Sequence, residues 1–134
     1  MGNTNKKVGN DFESELCDFL FDRGFWSHNL AQNSAGQPAD VIAARNGKPY
    51  LIDCKVCSGD KFSFSRLEDN QITSMDLWKA TGNGEGWFAV KFGEKVYMVS
   101  QATMVLESYS KSSRKENWFA AVGTPLEDWV KERC

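Results

Sequence analysis

The chain has 134 residues, of which 41% are hydrophobic, 13% aromatic and 25% charged, which is typical of one globular domain and not of a disordered or two-domain protein. No apolar run reaches the roughly 20 residues of a membrane span, and the N-terminus lacks the apolar stretch of a secretory signal, so we expect an intracellular, cytoplasmic protein. The net charge of −2 argues against a nucleic-acid partner, because phosphate-binding proteins usually carry an excess of Lys and Arg.

The first half of the chain predicts one helix followed by three strands. Apolar residues recur at helical spacing from Val8 to Leu20, and Gly24 is typical of a helix end. Further on, two strand-like runs flank a turn that begins with Asn46-Gly47, the pattern of a β-hairpin. The predicted elements are a helix from residue 8 to about 23, a strand over 25–30, a loop over 33–38, and a hairpin of strands 40–45 and 50–56 around a turn at 46–49.

The second half predicts a further helix, two strands and a C-terminal region of short elements. Ser65 and Glu68 have the spacing of a capping box, which predicts a helix from there to about Lys79. The glycine-rich segment Gly82–Gly86 leads from a helix into a strand, so it is a connector and not a phosphate-binding loop. The remaining elements are predicted as strands 87–92 and 96–100, a short helix over 101–107, a polar loop over 108–117, a last strand over 118–122 and a closing helix that starts at Thr124-Pro125. We expect all of them to form a single domain over residues 1–134.

One acid stands inside a strand that otherwise has the composition of a buried one. Asp53 lies in the run Tyr50–Val56, and strand alternation places Asp53 and Lys55 on the same face. An ionised carboxylate at such a position is costly unless it is paired or bound to a cation. Asp40 begins the preceding strand and comes close to Asp53 when the hairpin closes. Two adjacent carboxylates repel unless a divalent cation lies between them, and an oxygen-rich, partly hydrated site suits Mg²⁺.

Two further polar residues lie at the inner edges of the predicted helices. Glu13 borders the apolar stripe of the first helix, and Gln71 lies between Leu67 and Met75 at four-residue spacings. Each of them alone is more often a solvated polar residue, and the acid and the lysine of the strand alone would be a plain ion pair. Together, however, these residues are predicted to converge on one face of the fold.

The four cysteines, Cys17, Cys54, Cys57 and Cys134, are expected to be reduced, because no secretory context is present. Cys54 and Cys57 have the spacing of redox and zinc motifs, but the single histidine, His28, cannot complete a four-ligand site by itself. The pair also ends a strand-like run, whereas redox pairs usually open a helix that lowers the thiol pKa. We therefore expect buried, unreactive cysteines, and a thiol-redox protein is the weakest candidate function.

The segment Gln37-Pro38-Ala39-Asp40, followed by Asp53-Cys54-Lys55, resembles the PD-(D/E)xK nuclease signature, with Ala39 inserted between Pro38 and Asp40. The wider pattern is similar to Holliday-junction resolvases of the archaeal Hjc and bacterial RecU type. It consists of Glu13, Gly24-Phe25, Ser34, Gly36 and Gln71 at corresponding places. The resemblance covers about residues 8–100 and leaves 101–134 as a C-terminal extension. It implies an α/β, restriction-endonuclease-like fold with an αβββαβ core, in which helices flank a mixed central sheet.

The resemblance also implies a metal site and a substrate. Asp40 and Asp53 would bind Mg²⁺, for which Mn²⁺ would substitute, with the backbone carbonyl of Cys54 as a further ligand and Glu13 completing the site. The implied activity is that of a structure-selective DNA endonuclease, a resolvase of four-way junctions. Because a junction has two strands to cut, a two-fold homodimer fits its symmetry.

The remaining implied roles concern the attacking water and the DNA. Lys55 would position and activate the water and offset phosphate charge, Gln71 would orient the water or the scissile phosphate, and Ser34 would touch the DNA backbone. The basic run Lys111–Lys115 is by itself more often a solvated loop. In a nuclease, the candidate DNA contacts besides Ser34 are Lys6, Lys7, Lys61, Arg66, Arg114 and Lys115.

The distribution of charge permits DNA even though the net charge does not favour it. Residues 11–23 carry a charge of −4, whereas residues 40–66 carry +2 and include two acids that a metal would neutralise. Two alternatives to a resolvase stay open. One is a related nuclease that cuts linear, nicked or site-specific DNA, and the other is a non-catalytic DNA-binding or phage structural protein of the same fold.

Overall fold

A six-stranded sheet with helices on both faces organises the molecule. The computed structural model describes residues 2–30 and 38–134, and within them the side chains of residues 11–30 and 38–134. These ranges contain five α-helices and eight strands. Their bounds are α1 Gly2–Asp22, β1 Trp26–Asn29, β2 Val41–Arg45, β3 Lys48–Cys57, β4 Lys61–Ser63, a 3₁₀ turn Phe64–Arg66, α2 Asp69–Ala80, β5 Trp87–Phe92, β6 Lys95–Ser100, α3 Gln101–Ser108, β7 Ser113–Lys115, α4 Glu116–Val122, β8 Thr124–Pro125 and α5 Leu126–Glu132.

The main sheet has the strand order β1-β2-β3-β5-β6-β8. β3 and β5 run parallel, and the other neighbouring strands are antiparallel. The prediction of a mixed central sheet flanked by helices is therefore confirmed. β4 and β7 pair with each other in a separate antiparallel ribbon, which we call the β4–β7 ribbon.

Two apolar clusters, one on each face of the sheet, hold the helices in place. On one face, α1 and α5 contribute Leu16 and Trp129. On the other face, α2, α3 and α4 contribute Met75, Met104 and Phe119. All five side chains are at most 1% exposed, and burial of each stabilises the fold by about 1.5–3 kcal/mol. Among the described residues, no helix is both long enough and apolar enough to cross a membrane.

The turn of the hairpin determines which residues of β2 and β3 face each other. Asn46 and Gly47 have φ angles of 54° and 76°, as in the two-residue turns that match the twist of antiparallel strands. The turn is shorter than predicted, because β3 already begins at Lys48. In the resulting register Val41 lies opposite Ile52.

The predicted start of the second helix is wrong. α2 begins at Asp69, and Ser65 lies in the 3₁₀ turn, where its hydroxyl is 2.7 Å from that of Ser63. The reason is tertiary. The Phe64 side chain is buried in the core, and its N–H donates to the carbonyl of Ser112 at 2.9 Å, which holds this segment out of the helix.

The C-terminal third also differs from the prediction. The expected loop 108–117 contains β7, and the expected strand 118–122 is the helix α4. A short apolar run does not distinguish a strand from a buried helix, and here the fully buried Phe119 packs as part of a helix. Thr124 and Pro125 form the short strand β8, and Pro125 occupies the N-cap of α5 in place of Thr124.

Candidate active site

The hairpin brings Asp40 and Asp53 next to each other at the end of the ladder between β2 and β3. The N–H of Asp40 donates to the carbonyl of Ile52 at 3.1 Å, which continues the strand pairing by one residue beyond β2. The Asp40 carboxylate reaches across to β3 and accepts the N–H of Cys54 at 2.7 Å. The predicted proximity of the two acids therefore follows directly from the hairpin register.

Asp53 is fully buried, at 0% exposure, and Asp40 is 4% exposed. Within the described part of the chain, neither carboxylate oxygen of Asp53 accepts a hydrogen bond of good geometry. Lys55 Nζ lies 3.2 Å from Asp53 Oδ2 and forms an ion pair with it. Burial first, and then the charge of Asp40, raise the pKa of Asp53 well above its ordinary value, which the nearby lysine counteracts only in part. A cation next to both acids would offset the charge that burial and proximity disfavour.

Lys55 and Gln71 form the second half of the site. The ammonium group of Lys55 donates to Gln71 Oε1 at 3.2 Å, in addition to its ion pair with Asp53. Both side chains are buried, at 7% and 5% exposure. Gln71 shares the buried stripe of α2 with Met75, as the helical spacing predicts. Because α2 packs against the sheet through Met75, the helix holds the glutamine, and the glutamine holds the lysine.

Glu13 approaches the same acids from α1. Its pKa is raised from 4.5 to about 8, first by burial and then by a hydrogen bond with Asp40 and the charge of that residue. Lys55 acts in the opposite direction. Glu13 and Asp53 therefore both lie next to Asp40, and the charge of Asp40 raises the pKa of each of them.

The donor set fits Mg²⁺ better than a metal that needs a complete protein cage. Among the described residues, no three His, Cys, Asp or Glu side chains are arranged to enclose a metal ion. Mg²⁺ usually takes only one or two carboxylates and keeps several of its waters. The two adjacent aspartates, of which Asp53 is fully buried with no hydrogen bond of good geometry to its oxygens, offer a donor set of this kind.

The predicted DNA contacts lie in three different places. Ser34 falls outside the described residues, and so do the side chains of Lys6 and Lys7, whose backbone belongs to α1. Arg66 donates to the carbonyl of Val56 at 2.8 Å. The remaining three residues lie on the β4–β7 ribbon and are Lys61, Arg114 and Lys115. Of these, Arg114 is ion-paired with Glu107.

Sequence reasoning missed two hydroxyl groups on the β4–β7 ribbon. Ser63 and Ser113 are opposite partners in its antiparallel register. Their segments are far apart in the chain, and residues 113–115 were predicted as loop. No local pattern therefore identifies the pair as neighbours.

The Cys54–Cys57 pair does not form a redox site. Residues three apart in a strand lie on opposite faces, with Cα atoms about 10 Å apart, which exceeds the reach of a disulfide. All four cysteines are free, as predicted. Burial is the main cause that raises the pKa of both thiols, and the charge of Asp40 adds to it at Cys54. Raised values disfavour the reactive thiolate.

The fold and the site together define a domain of the PD-(D/E)xK nuclease class. A family described as archaeal Holliday junction resolvase (Hjc) matches residues 4–133, and the chain belongs to this family. The chain is similar to the crossover junction endodeoxyribonuclease Hjc of Methanocaldococcus jannaschii, with 27% identity over 93 residues. This alignment covers 69% of the chain and 65% of that relative, slightly less than two thirds of its length.

A solved structure shows that the whole fold is shared. The Archaeoglobus fulgidus Hjc, a Holliday junction resolvase, superposes with a TM-score of 0.70 at 17% sequence identity. The match covers 91% of this chain and 99% of that one. The family match over residues 4–133 confirms the resemblance to Hjc-type resolvases that the motif residues indicated, and the solved structure confirms the fold.

Proposed function

We propose that this protein is a Mg²⁺-dependent endonuclease that hydrolyses phosphodiester bonds at four-way DNA junctions. The observation that carries the proposal is the fully buried Asp53, which is ion-paired only with Lys55 among the described residues and lies beside Asp40 in a member of the Hjc family. Such an arrangement destabilises the folded protein on its own, and a bound divalent cation would neutralise the buried negative charge.

The acids form the metal-binding half of the site. Asp40 and Asp53 would hold Mg²⁺ or Mn²⁺ together with the Cys54 carbonyl, and Glu13 would complete the site directly or through water. The bound metal would lower the pKa of its water and stabilise charge on the phosphorus. A bound cation would favour the ionised form of Glu13, because it would supply positive charge next to this carboxyl group.

Lys55 and Gln71 form the half that faces the attacking water. An ammonium group has three N–H donors, and Asp53 and Gln71 engage two of them. The third donor is left for the water or for a phosphate oxygen. Gln71 keeps the ammonium at that position, since its Oε1 accepts one of the other donors. Lys55 thereby offsets phosphate charge at the point where the new bond forms.

A junction requires two cuts, so we propose a homodimer that presents two such sites. The proposed DNA contacts include Ser34, Lys6 and Lys7 near the N-terminus, and Lys61, Arg66 and Lys115 on or near the β4–β7 ribbon. Arg114 is left out of this set, because Glu107 already occupies its guanidinium group. A chromosomal or phage DNA substrate also implies a cytoplasmic location.

The test compares a labelled synthetic four-way junction with a linear duplex of matching sequence, in Mg²⁺, in Mn²⁺ and in EDTA. Asp53→Asn removes a metal-binding carboxylate at nearly constant volume. Asp18→Asn is the matched control, because Asp18 is exposed on α1. We expect symmetric cleavage of the junction alone, dependent on the metal, lost in Asp53→Asn and retained in Asp18→Asn.

Other outcomes identify the alternatives. Equal cutting of the linear duplex would point to a general nuclease of the same class. Binding of DNA without cleavage in either metal would show a non-catalytic DNA-binding protein and refute the enzymatic proposal.

A further inference from the structure

The β4–β7 ribbon carries two lysines that face each other without a counter-charge. Lys61 and Lys115 are opposite partners in the antiparallel register, and both are exposed. Directly opposite side chains have Cβ atoms about 5 Å apart, and like charges in such a pair are destabilising. Within the described part of the chain, neither lysine forms an ion pair. A bound anion would relieve this repulsion.

Strand alternation sorts the ribbon side chains into two faces. Phe62 and Arg114 are opposite partners on the inner face. Phe62 is fully buried and packs 5.7 Å from the ring of Phe119, and Arg114 is ion-paired with Glu107. The inner face therefore anchors the ribbon rigidly to the core. The outer face carries Lys61, Ser63, Ser113 and Lys115.

Arg66 connects this outer face with the candidate active site. Its guanidinium group donates to the carbonyl of Val56 at 2.8 Å and lies 5.2 Å from the ring centre of Phe62. Val56 directly follows Lys55 in β3, and the chain passes through β4 and Arg66 before it returns to the site at Gln71. The β4 strand of the ribbon therefore lies in the chain segment that connects Lys55 with Gln71.

Acidic neighbours do not cancel the positive charge of the ribbon. Glu107 is already paired with Arg114, and the carboxylates that directly flank the two strands in the chain are those of Asp60 and Glu116, of which the latter accepts the hydroxyl of Tyr97 at 2.6 Å. The exposed cations in the same segments are Lys61, Arg66, Lys111 and Lys115. A local excess of positive charge therefore exists on a protein whose net charge is −2.

We propose that the outer face of the β4–β7 ribbon binds the phosphates of a DNA duplex arm outside the catalytic centre. Lys61 and Lys115 pair with phosphate oxygens, and the hydroxyls of Ser63 and Ser113 donate hydrogen bonds to them. Contacts of this kind position a duplex and carry no sequence information. The inference rests on the proposed function for its ligand, and on the register of the ribbon for its residues.

The experiment measures the affinity for a labelled four-way junction in EDTA as a function of salt concentration. The test variant is Lys61→Gln combined with Lys115→Gln. The matched control is Lys95→Gln combined with Lys131→Gln, which removes two exposed lysines from β6 and α5. Thermal melting verifies that both variants fold.

Each phosphate contact contributes about 0.9 to the slope of log affinity against log salt. The ribbon variant is expected to lose about two such contacts, so its slope is shallower by about 1.8. Between about 50 and 200 mM salt, the affinity advantage of the wild-type protein then shrinks about 12-fold. The control variant keeps the wild-type slope. Lys61→Arg with Lys115→Arg also keeps it, because a guanidinium group pairs equally with phosphate.

Each result decides for or against the ribbon. A wild-type slope in the ribbon variant overturns the inference, whether or not the protein cuts junctions. If the slope of log affinity against log salt is shallower in this variant, but the wild-type protein cuts no DNA in Mg²⁺, the inference stands while the proposed function fails. A wild-type protein that binds no DNA refutes both.

Discussion

The buried carboxylate of Asp53 is expected to destabilise the folded protein when no metal is bound. This carboxylate is fully buried and lies beside Asp40, and its ion pair with Lys55 compensates these two effects only in part. The substitution Asp53→Asn removes the charge at nearly constant volume and supplies an amide that can donate to the Asp40 carboxylate. We therefore expect the variant to be more stable than the wild-type protein in EDTA.

The magnitude follows from the penalty that a buried polar group incurs when its pairing is incomplete. That penalty is about 1–3 kcal/mol, and for a chain of this length it corresponds to a rise in Tm of about 3–10 °C. Mg²⁺ is expected to make the wild-type protein more stable than Asp53→Asn. At about 1,000 times its Kd a ligand stabilises the wild-type protein by about 4.1 kcal/mol, which exceeds this penalty, whereas the variant has lost the site.

The dependence on pH has a definite sign. A carboxyl group whose pKa is raised in the folded protein binds a proton there at pH values where the unfolded chain has released it. The wild-type protein in EDTA therefore loses stability, relative to Asp53→Asn, as the pH rises above the ordinary value of 3.8. The two proteins are expected to melt together near pH 4 and to differ most at pH 8.

The assay is thermal melting by circular dichroism at one fixed protein concentration, from pH 4 to pH 8, with EDTA or with Mg²⁺. Asp18→Asn serves as the control, because this exposed carboxylate has no such penalty. If Asp53→Asn melted at or below the wild-type temperature in EDTA at pH 8, the claim that Lys55 compensates the buried charge only in part would be refuted.

Three further predictions follow from other residues. In EDTA, the wild-type protein is expected to lose stability between pH 4.5 and about 8, because the folded protein retains the Glu13 proton over this interval. Glu13→Gln should remove this part of the loss, as measured by melting curves at each pH. Gln71→Ala should lower the single-turnover cleavage rate by up to about 100-fold, because Lys55 loses the hydrogen bond that positions it and no longer aligns the water. A melting temperature of this variant equal to that of the wild-type protein would show that its fold is intact. Gly86→Ala should destabilise by about 1–3 kcal/mol in denaturant titrations, because a Cβ there overlaps Met75, whereas Gly84→Ala meets open space; equal effects of the two would contradict this packing.

Much of the candidate active site was predictable because its determinants are local. Strand alternation places Asp53 and Lys55 on one face, and the Asn46-Gly47 turn sets the register that brings Asp40 opposite. Helical spacing likewise places Gln71 on the buried stripe of α2. Each of these inferences needs only a short stretch of chain and the geometry of a regular element.

The regions that were predicted wrongly depend on contacts between distant segments. The capping box at Ser65 is not formed, because Phe64 is drawn into the core and its backbone pairs with Ser112. Residues 118–122 form part of the helix α4, in which Phe119 is fully buried against the core. A short apolar run in the sequence does not distinguish such a buried helix from a strand.

The sequence by itself determined the family, the mixed sheet with flanking helices and the set of residues at the candidate metal site. Only the tertiary structure decided how deeply that site is buried, and therefore in which direction the pKa values of Glu13 and Asp53 are shifted. It also decided which basic residues share a surface, since it turned Arg114 inward to Glu107 and set Lys61 opposite Lys115. The physical reason is that burial and the pairing of β4 with β7 depend on segments that meet only when the chain has folded.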